Sequence, residues 1–243
     1  MPVISPIIIW LGAWFYIRLY ASTNKLSKPT EGGLKLVTGL SNTSFVGFPL
    51  VTAWFGEKEL GTAVICDQVT FMLLATAGIV VAINSSGKYV LQPSVVLKKL
   101  ISFPPFIGCI AALIIPCFID ITALDPLFDK LSATVGPLAL FSIGLQLQFK
   151  GWREEVKHIS VALFYKLLLA PLLVLVVALI LGMKGIISQV TVFEAAMPTL
   201  LSSVIVVDQY NLRPQLASLI TGIGILLSFI TTIAWYYIIT FTL

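Results

Sequence analysis

Charge is scarce in this sequence. Asp, Glu, Lys and Arg make up 11% of its 243 residues, against roughly 25% in an ordinary soluble domain. Such a chain could not cover a globular surface with water-seeking side chains. Histidine occurs once, at His158 in a charged connection, and cysteine three times, at Cys66, Cys109 and Cys117, each inside an apolar segment. No CxxC and no His-rich ligand set accompanies them. That argues against a disulfide framework and a metal site, and buried, reduced thiols are expected. HExxH and GxSxG are absent and no nucleophile has a nearby base, so an embedded enzyme is set aside. The net charge of +4 is not a nucleic-acid footprint, because the basic residues are scattered over short connections.

What the chain has instead is apolar length. Hydrophobic residues make up 58% of it and the mean hydropathy is +1.02. Eight apolar segments of about 20 residues, the length a bilayer requires, run over 3–21, 36–55, 61–83, 99–119, 131–149, 159–182, 188–209 and 215–241. The connections between them are short and polar, and none could form a soluble domain. With the first connection placed in the cytoplasm, eleven Lys and Arg collect on that side, and only Lys58, Lys130 and Lys184 on the other. This positive-inside bias predicts a multi-pass plasma-membrane protein with both termini extracytoplasmic. Apolar residues begin almost at Met1 with no basic stretch ahead, which is not the pattern of a cleavable signal peptide.

One stretch, residues 39–55 (GLSNTSFVGFPLVTAWF), is long enough for most of a span yet wrong in the middle for a plain one. Asn42, Thr43 and Ser44 sit together, and Gly47 and Pro49 follow within two turns. Proline removes a backbone donor and glycine loosens the helix. In lipid, the freed groups must find partners in protein or in a water-lined cavity. One reading is the wall of a solute site; the other is a kinked helix whose small residues pack on a neighbour. An offset of 155 positions lays Asn42-Thr43 over Met197-Pro198, Phe55-Gly56 over Tyr210-Asn211 and Lys58 over Arg213. The first copy starts inside and the second outside, which makes the halves an inverted repeat of the transporter kind. The second half holds five spans and the first three, so two leading helices, filling about 56 residues, are expected ahead of Met1.

LSNTSFVGFPLV with FGEKELGTAV resembles the first crossover helix of the auxin efflux carrier family, and EAAMPTLLSSVIVVDQYNLRPQLAS resembles the second. GPLALFSIGLQL and YKLLLAPLL are similar to its seventh and eighth helices. The resemblance implies an all-α polytopic membrane protein: eight transmembrane helices of a ten-helix, five-plus-five inverted-repeat crossover fold, similar to bile-acid sodium symporters. Residues 1–83 would be an incomplete first repeat with its crossover at about 39–55, and 84–98 a cytoplasmic linker. Residues 99–149 would be scaffold helices, and 159–243 transport-bundle helices with the second crossover at about 188–209. The implied activity is a secondary carrier of small organic anions such as dicarboxylates, working by alternating access. The alternative is a truncated, non-transporting subunit or partner that needs the missing helices supplied.

Half-helices ending at mid-membrane would aim partial positive charge at an anion. Ser41, Asn42, Thr43 and Ser44 from one crossing, with Thr199, Ser202 and Ser203 from the other, would add neutral donors. Asn42 matches the family's crossover asparagine and is the first choice for substrate. Gly47, Pro49 and Pro198 would open the crossover backbone. Ionisable residues inside spans are functional candidates, so Glu194, Asp67 and Lys166 are the candidates for coupling to Na+ or H+. Two of them have a plainer reading: Lys166 as a snorkelling interfacial cation, Asp67 as a buried structural acid. Asp208 ends its span and reads as interfacial, and Gln146 and Gln148 as inner-leaflet boundary residues. The expected partners are a small carboxylate and the lipid bilayer; a homodimer is compatible with the sequence, and no other cofactor is expected.

Overall fold

The computed structural model describes residues 1–87, 104–146 and 151–243, and every regular element among them is helical. Helix α1 covers Ile4–Asn24 and ends on Lys25 in the left-handed region (φ 50°). Helix α2, Lys28–Gly39, begins immediately after Ser27, whose hydroxyl accepts from the Thr30 N–H, with proline in the first turn and Glu31 near the positive end. The sequence reading placed residues 21–35 in a loop, and here it is corrected. Gly32 and Gly33 looked like loop residues, but they let α2 press against its neighbours. An added Cβ on Gly32 would overlap Ser85, and one on Gly33 would overlap the Leu212 carbonyl.

After a break at residues 40–42 the chain re-enters a helix through a wide π turn, Thr43–Gly47, which runs into α3, Phe48–Phe55. Helices α4 (Leu60–Leu73) and α5 (Ile79–Ser86) form one rod through a second π turn, Leu74–Gly78. Helix α6 is Pro104–Ile114 and α7 is Asp125–Gln146. A third π turn, Tyr165–Leu169, joins α8 (Val156–Phe164) to α9 (Ala170–Ile180). Pro171 cannot donate to the Leu167 carbonyl, which accepts the Trp235 indole N–H at 2.8 Å instead. Helix α10 covers Ile186–Ala195, α11 Leu201–Gln209 and α12 Pro214–Thr242.

Four rods among the described residues are long and apolar enough to cross a membrane: Ile4–Asn24, Glu57–Ser86, Val156–Ile180 and Pro214–Thr242. Their outer faces carry bare apolar side chains, such as Phe15 (67% exposed), Ile180 (77%) and Phe241 (88%). Water would penalise such a surface and hydrocarbon would not. Helix α1 packs on α2, α4 and α9; α2 packs on α5, α11 and α12; α10 packs on α4, α9 and α12. Two apolar clusters result. One includes Leu40 and Leu200 with Leu34, Val207, Leu212 and Ile220; the other includes Val46 and Met197 with Val174, Phe193, Trp235 and Ile239. The chain passes from one cluster to the other through the polar residues of the two breaks.

Cysteine departs from expectation at one place. Cys66 is buried, but Cys117 is exposed, in a short 3-10 turn at Ile115–Cys117 that no other element among the described residues covers. The expected 84–98 linker begins inside α5, which runs to Ser86; residues 88–98, the start of the 99–119 segment, the side chains of Cys109 and Gln146 and all of Gln148 lie outside the described residues.

The close approach of α2 to the turn before α12 is testable. Gly33→Ala should destabilise by about 1–3 kcal/mol, because a backbone carbonyl cannot yield as a flexible side chain can. Thermal unfolding in detergent should register a loss of roughly 2–4 °C per kcal/mol. Gly61→Ala, where an added Cβ meets nothing within 4 Å, should not lose stability.

Candidate functional site

The two interrupted helices meet at their breaks. Leu40 is extended (φ −119°, ψ 126°) and so is Leu200 (φ −63°, ψ 124°). The Asn42 N–H donates to the Pro198 carbonyl at 2.8 Å and the Leu200 N–H to the Leu40 carbonyl at 3.0 Å. Between those bonds Ser41 and Thr199 face each other as an antiparallel pair. This is one rung of a β-ladder set inside helical protein. It satisfies two donors and two acceptors that the breaks would otherwise leave bare.

Each break is stabilised differently. Asn42 caps the first: its Oδ1 accepts from the N–H groups of Phe45 (3.1 Å) and Val46 (3.3 Å). Its Nδ2 is buried and has no hydrogen-bond partner among the described residues. The second break contains Pro198 itself, and α11 starts at Leu201 with no side-chain cap. Pro49 lies seven residues past the first break, just after the π turn. The π turn runs on into α3, so Pro49 sits inside a continuous helix, and its missing N–H leaves a carbonyl one turn back without that donor.

The expected neutral donors divide. Thr43 donates to Asp67 Oδ1 at 2.6 Å, and Ser44 lies beside the same carboxylate. The Thr199 hydroxyl donates to the Val37 carbonyl (2.8 Å) and Ser203 to the Leu200 carbonyl (2.6 Å), so both are spent on backbone. Ser44 and Ser202 are half-buried. Ser41 accepts from Lys166 Nζ at 2.5 Å, which leaves its own proton to donate.

All three proposed ion-coupling residues are buried: Lys166 is 0% exposed, Glu194 1% and Asp67 4%. Lys166 does not snorkel. Its ammonium points into the crossing, onto Ser41 and, at 3.5 Å, the Ala195 carbonyl. Both carboxylate oxygens of Glu194 are buried without a hydrogen-bond partner. They stack on Gly47, where an added Cβ would stand 2.6 and 2.7 Å from them. Gly47 thus makes room for a carboxylate, whereas flexibility was the expected role. No ion pair of 4.0 Å or less joins Lys166 to Glu194 or Asp67. Asp208 is exposed at the end of α11, as an interfacial residue would be. Gln68, next to Asp67, escaped the sequence reading, and its Oε1 is buried without a partner. Its only sequence signal was an amide inside an apolar span.

A pair of antiparallel, interrupted helices with polar tips amid apolar rods is transporter-like geometry. Comparison with known proteins agrees. The sequence profile of the family described as "Membrane transport protein" matches residues 1–236. The chain is a membrane transporter of the auxin efflux carrier family. Among its relatives is an "Uncharacterized transporter" of Methanothermobacter thermautotrophicus, 25% identical over 89% of this chain and 71% of its own length. A "Putative malonate transporter" of Rhizobium meliloti is 28% identical over 93% of this chain and 72% of its own. A "Probable auxin efflux carrier component 9" of Oryza sativa is 29% identical over 63% of this chain and 38% of its own. The transporter is therefore a membrane protein and not an enzyme.

The Thr43–Asp67 bond ties the first break to α4, and its loss can be measured. Thr43→Val should cost about 1–3 kcal/mol, since a buried carboxylate oxygen loses its donor. Thr43→Ser keeps the hydroxyl and should hold most of the stability. Comparing the two unfolding temperatures in detergent checks the bond, and equal losses would assign the effect to packing.

Proposed function

We propose that this transporter is a secondary carrier that moves small organic anions, such as dicarboxylates, across the plasma membrane by alternating access. The observation that carries the reading is the Asn42 side chain. Its oxygen is spent on capping, and its Nδ2 donor is buried and unpartnered at the meeting of two broken helices. A buried amide donor without an acceptor costs stability unless something supplies one. The start of α11 lacks a side-chain cap and adds the partial positive charge of a helix amino end. Ser41 and Ser202 add neutral donors, which suits a carboxylate that must also be released, and Ser44 stands beside them on the Asp67 carboxylate. Thr43, Thr199 and Ser203 support the wall through the bonds they already make. That a relative is named a putative malonate transporter is in keeping with such a substrate.

The surrounding architecture proposed is the ten-helix inverted repeat, with the two crossovers in a moving bundle and both termini extracytoplasmic. Coupling to a proton or to sodium would be felt at Glu194, with Asp67 and Lys166 beside the same crossing.

The test is thermal unfolding of the purified protein against a panel of mono- and dicarboxylates. A ligand present at a hundredfold its Kd should add about 2.7 kcal/mol to apparent stability. Asn42→Ser keeps a capping oxygen and removes the Nδ2 donor. It should fold and lose the carboxylate-induced shift at least tenfold in concentration dependence. An unchanged shift in Asn42→Ser would move the site away from the crossing, and no shift with any carboxylate would reject the substrate class.

A further inference from the structure

Lys166 is the one fully buried cation among the described residues, and its surroundings are oxygen. It belongs to the π turn Tyr165–Leu169, on a rod separate from both interrupted helices. Its Nζ contacts one oxygen from each of them. Ser41 Oγ in the first break lies at 2.5 Å, and the carbonyl of Ala195, the last residue of α10, at 3.5 Å. That carbonyl belongs to a helix carboxyl end, where the unpaired C=O groups gather partial negative charge. The Glu194 carboxylate precedes it by one residue, buried and without a hydrogen-bond partner. A hydroxyl, a helix-terminal carbonyl and a nearby carboxylate are the hard oxygen donors that hold a small hard cation. Here a side chain of this protein delivers the charge.

We propose that the Lys166 ammonium is a tethered substitute for a bound alkali cation. Its charge joins an oxygen of each interrupted helix, so the transporter needs no sodium to hold its broken helices together. Lys166 is then the residue that sets the cation requirement. The charge balance supports this. Without Lys166, the Glu194 carboxylate and the α10 terminus would lack a positive neighbour in a region closed to water, at a cost several times that of a neutral polar group. A monovalent cation of ionic size could enter the space vacated by the lysine side chain and restore the balance. The consequence for transport rests on the carrier reading above. The tethered cation does not, so the experiment reads ions with no organic acid present.

Purified protein and the variants Lys166→Ala and Lys166→Gln would be unfolded thermally in sodium, potassium and choline chloride at one ionic strength. The unmodified protein should unfold at the same temperature in all three. Lys166→Ala should unfold earlier in choline and recover by about 3 °C or more in sodium at tenfold its Kd, with a smaller gain in potassium. Adding Ser41→Ala to that variant should shrink the sodium gain, because it removes one of the oxygens. A sodium-specific rise in the unmodified protein would overturn the proposal. So would variants that fold but gain nothing from sodium. So would variants that fold in no salt, since sodium could not then replace the ammonium. A negative carboxylate panel beside a positive sodium result would reject only the carrier reading.

Discussion

Everything at the centre of this transporter depends on two backbone hydrogen bonds, from Asn42 to Pro198 and from Leu200 to Leu40. In water, a broken helix can hand its free N–H and C=O groups to solvent. Among rods long and apolar enough to span a membrane it cannot, and each unsatisfied group costs several kcal/mol. One broken helix alone would be a liability, whereas two that break at matching heights can satisfy each other. The antiparallel pairing of Ser41 with Thr199 is that solution. It also explains why the polar residues cluster there. Val37, Leu40 and Leu200 are apolar by side chain, yet each offers a carbonyl that Thr199, Leu200 or Ser203 fills.

Charge at the crossing follows the same economy. Three ionisable side chains lie buried away from bulk solvent, and none forms an ion pair of 4.0 Å or less with another. Asp67 is held by Thr43, and Lys166 by Ser41 and Ala195. Glu194 has only space, which Gly47 provides. The ion pairs that do form lie elsewhere, at Glu31 with Arg18 and Lys35, and at Glu155 with Arg213. Arg18 and Arg213 are both well exposed, so those two contacts add little stability. The buried groups therefore carry the electrostatic tension of the molecule, next to the proposed substrate position.

Much of this was legible in the sequence because it follows from local chemistry. Low charge and eight long apolar runs announced a membrane protein. Pro198 marked the second break, since a missing N–H acts on its own neighbours, and the Asn-Thr-Ser cluster placed the first within residues 39–55, although the capping role of Asn42 was not read. What the sequence could not show depended on contacts far along the chain. Residues 28–35 of α2 read as part of a polar connection, while the value of Gly32 and Gly33 lies in approaches to Ser85 and Leu212. Pro49 looked like a hinge because proline usually is one, and the break lies upstream where Ser41 and Asn42 meet the other helix. Lys166 looked like an interfacial residue from its depth along a straight rod. Its true partners come from two other rods, at sequence separations of 125 and 29.

The two breaks are related in plan and unequal in chemistry, and the inequality bears on where an anion would rest. At the first, the Asn42 carbonyl oxygen occupies the N–H groups of Phe45 and Val46. Those donors are no longer offered to a ligand, and the amide nitrogen is offered in their place. At the second, no side chain caps the start of α11; the Ser203 N–H donates to the Leu200 carbonyl, and the helix dipole still points its positive end at the crossing. Lys166 stands at the opposite pole, against the carboxyl end of α10. Positive charge thus lies on both sides of the paired backbone, from a side chain at one end and a helix terminus at the other. An anion at the crossing would meet the Asn42 amide and the α11 terminus together, while the lysine stays committed to protein oxygens. Under the proposed carrier reading, that division would give attraction without a salt bridge to the ligand, the balance a carrier needs between capture and release.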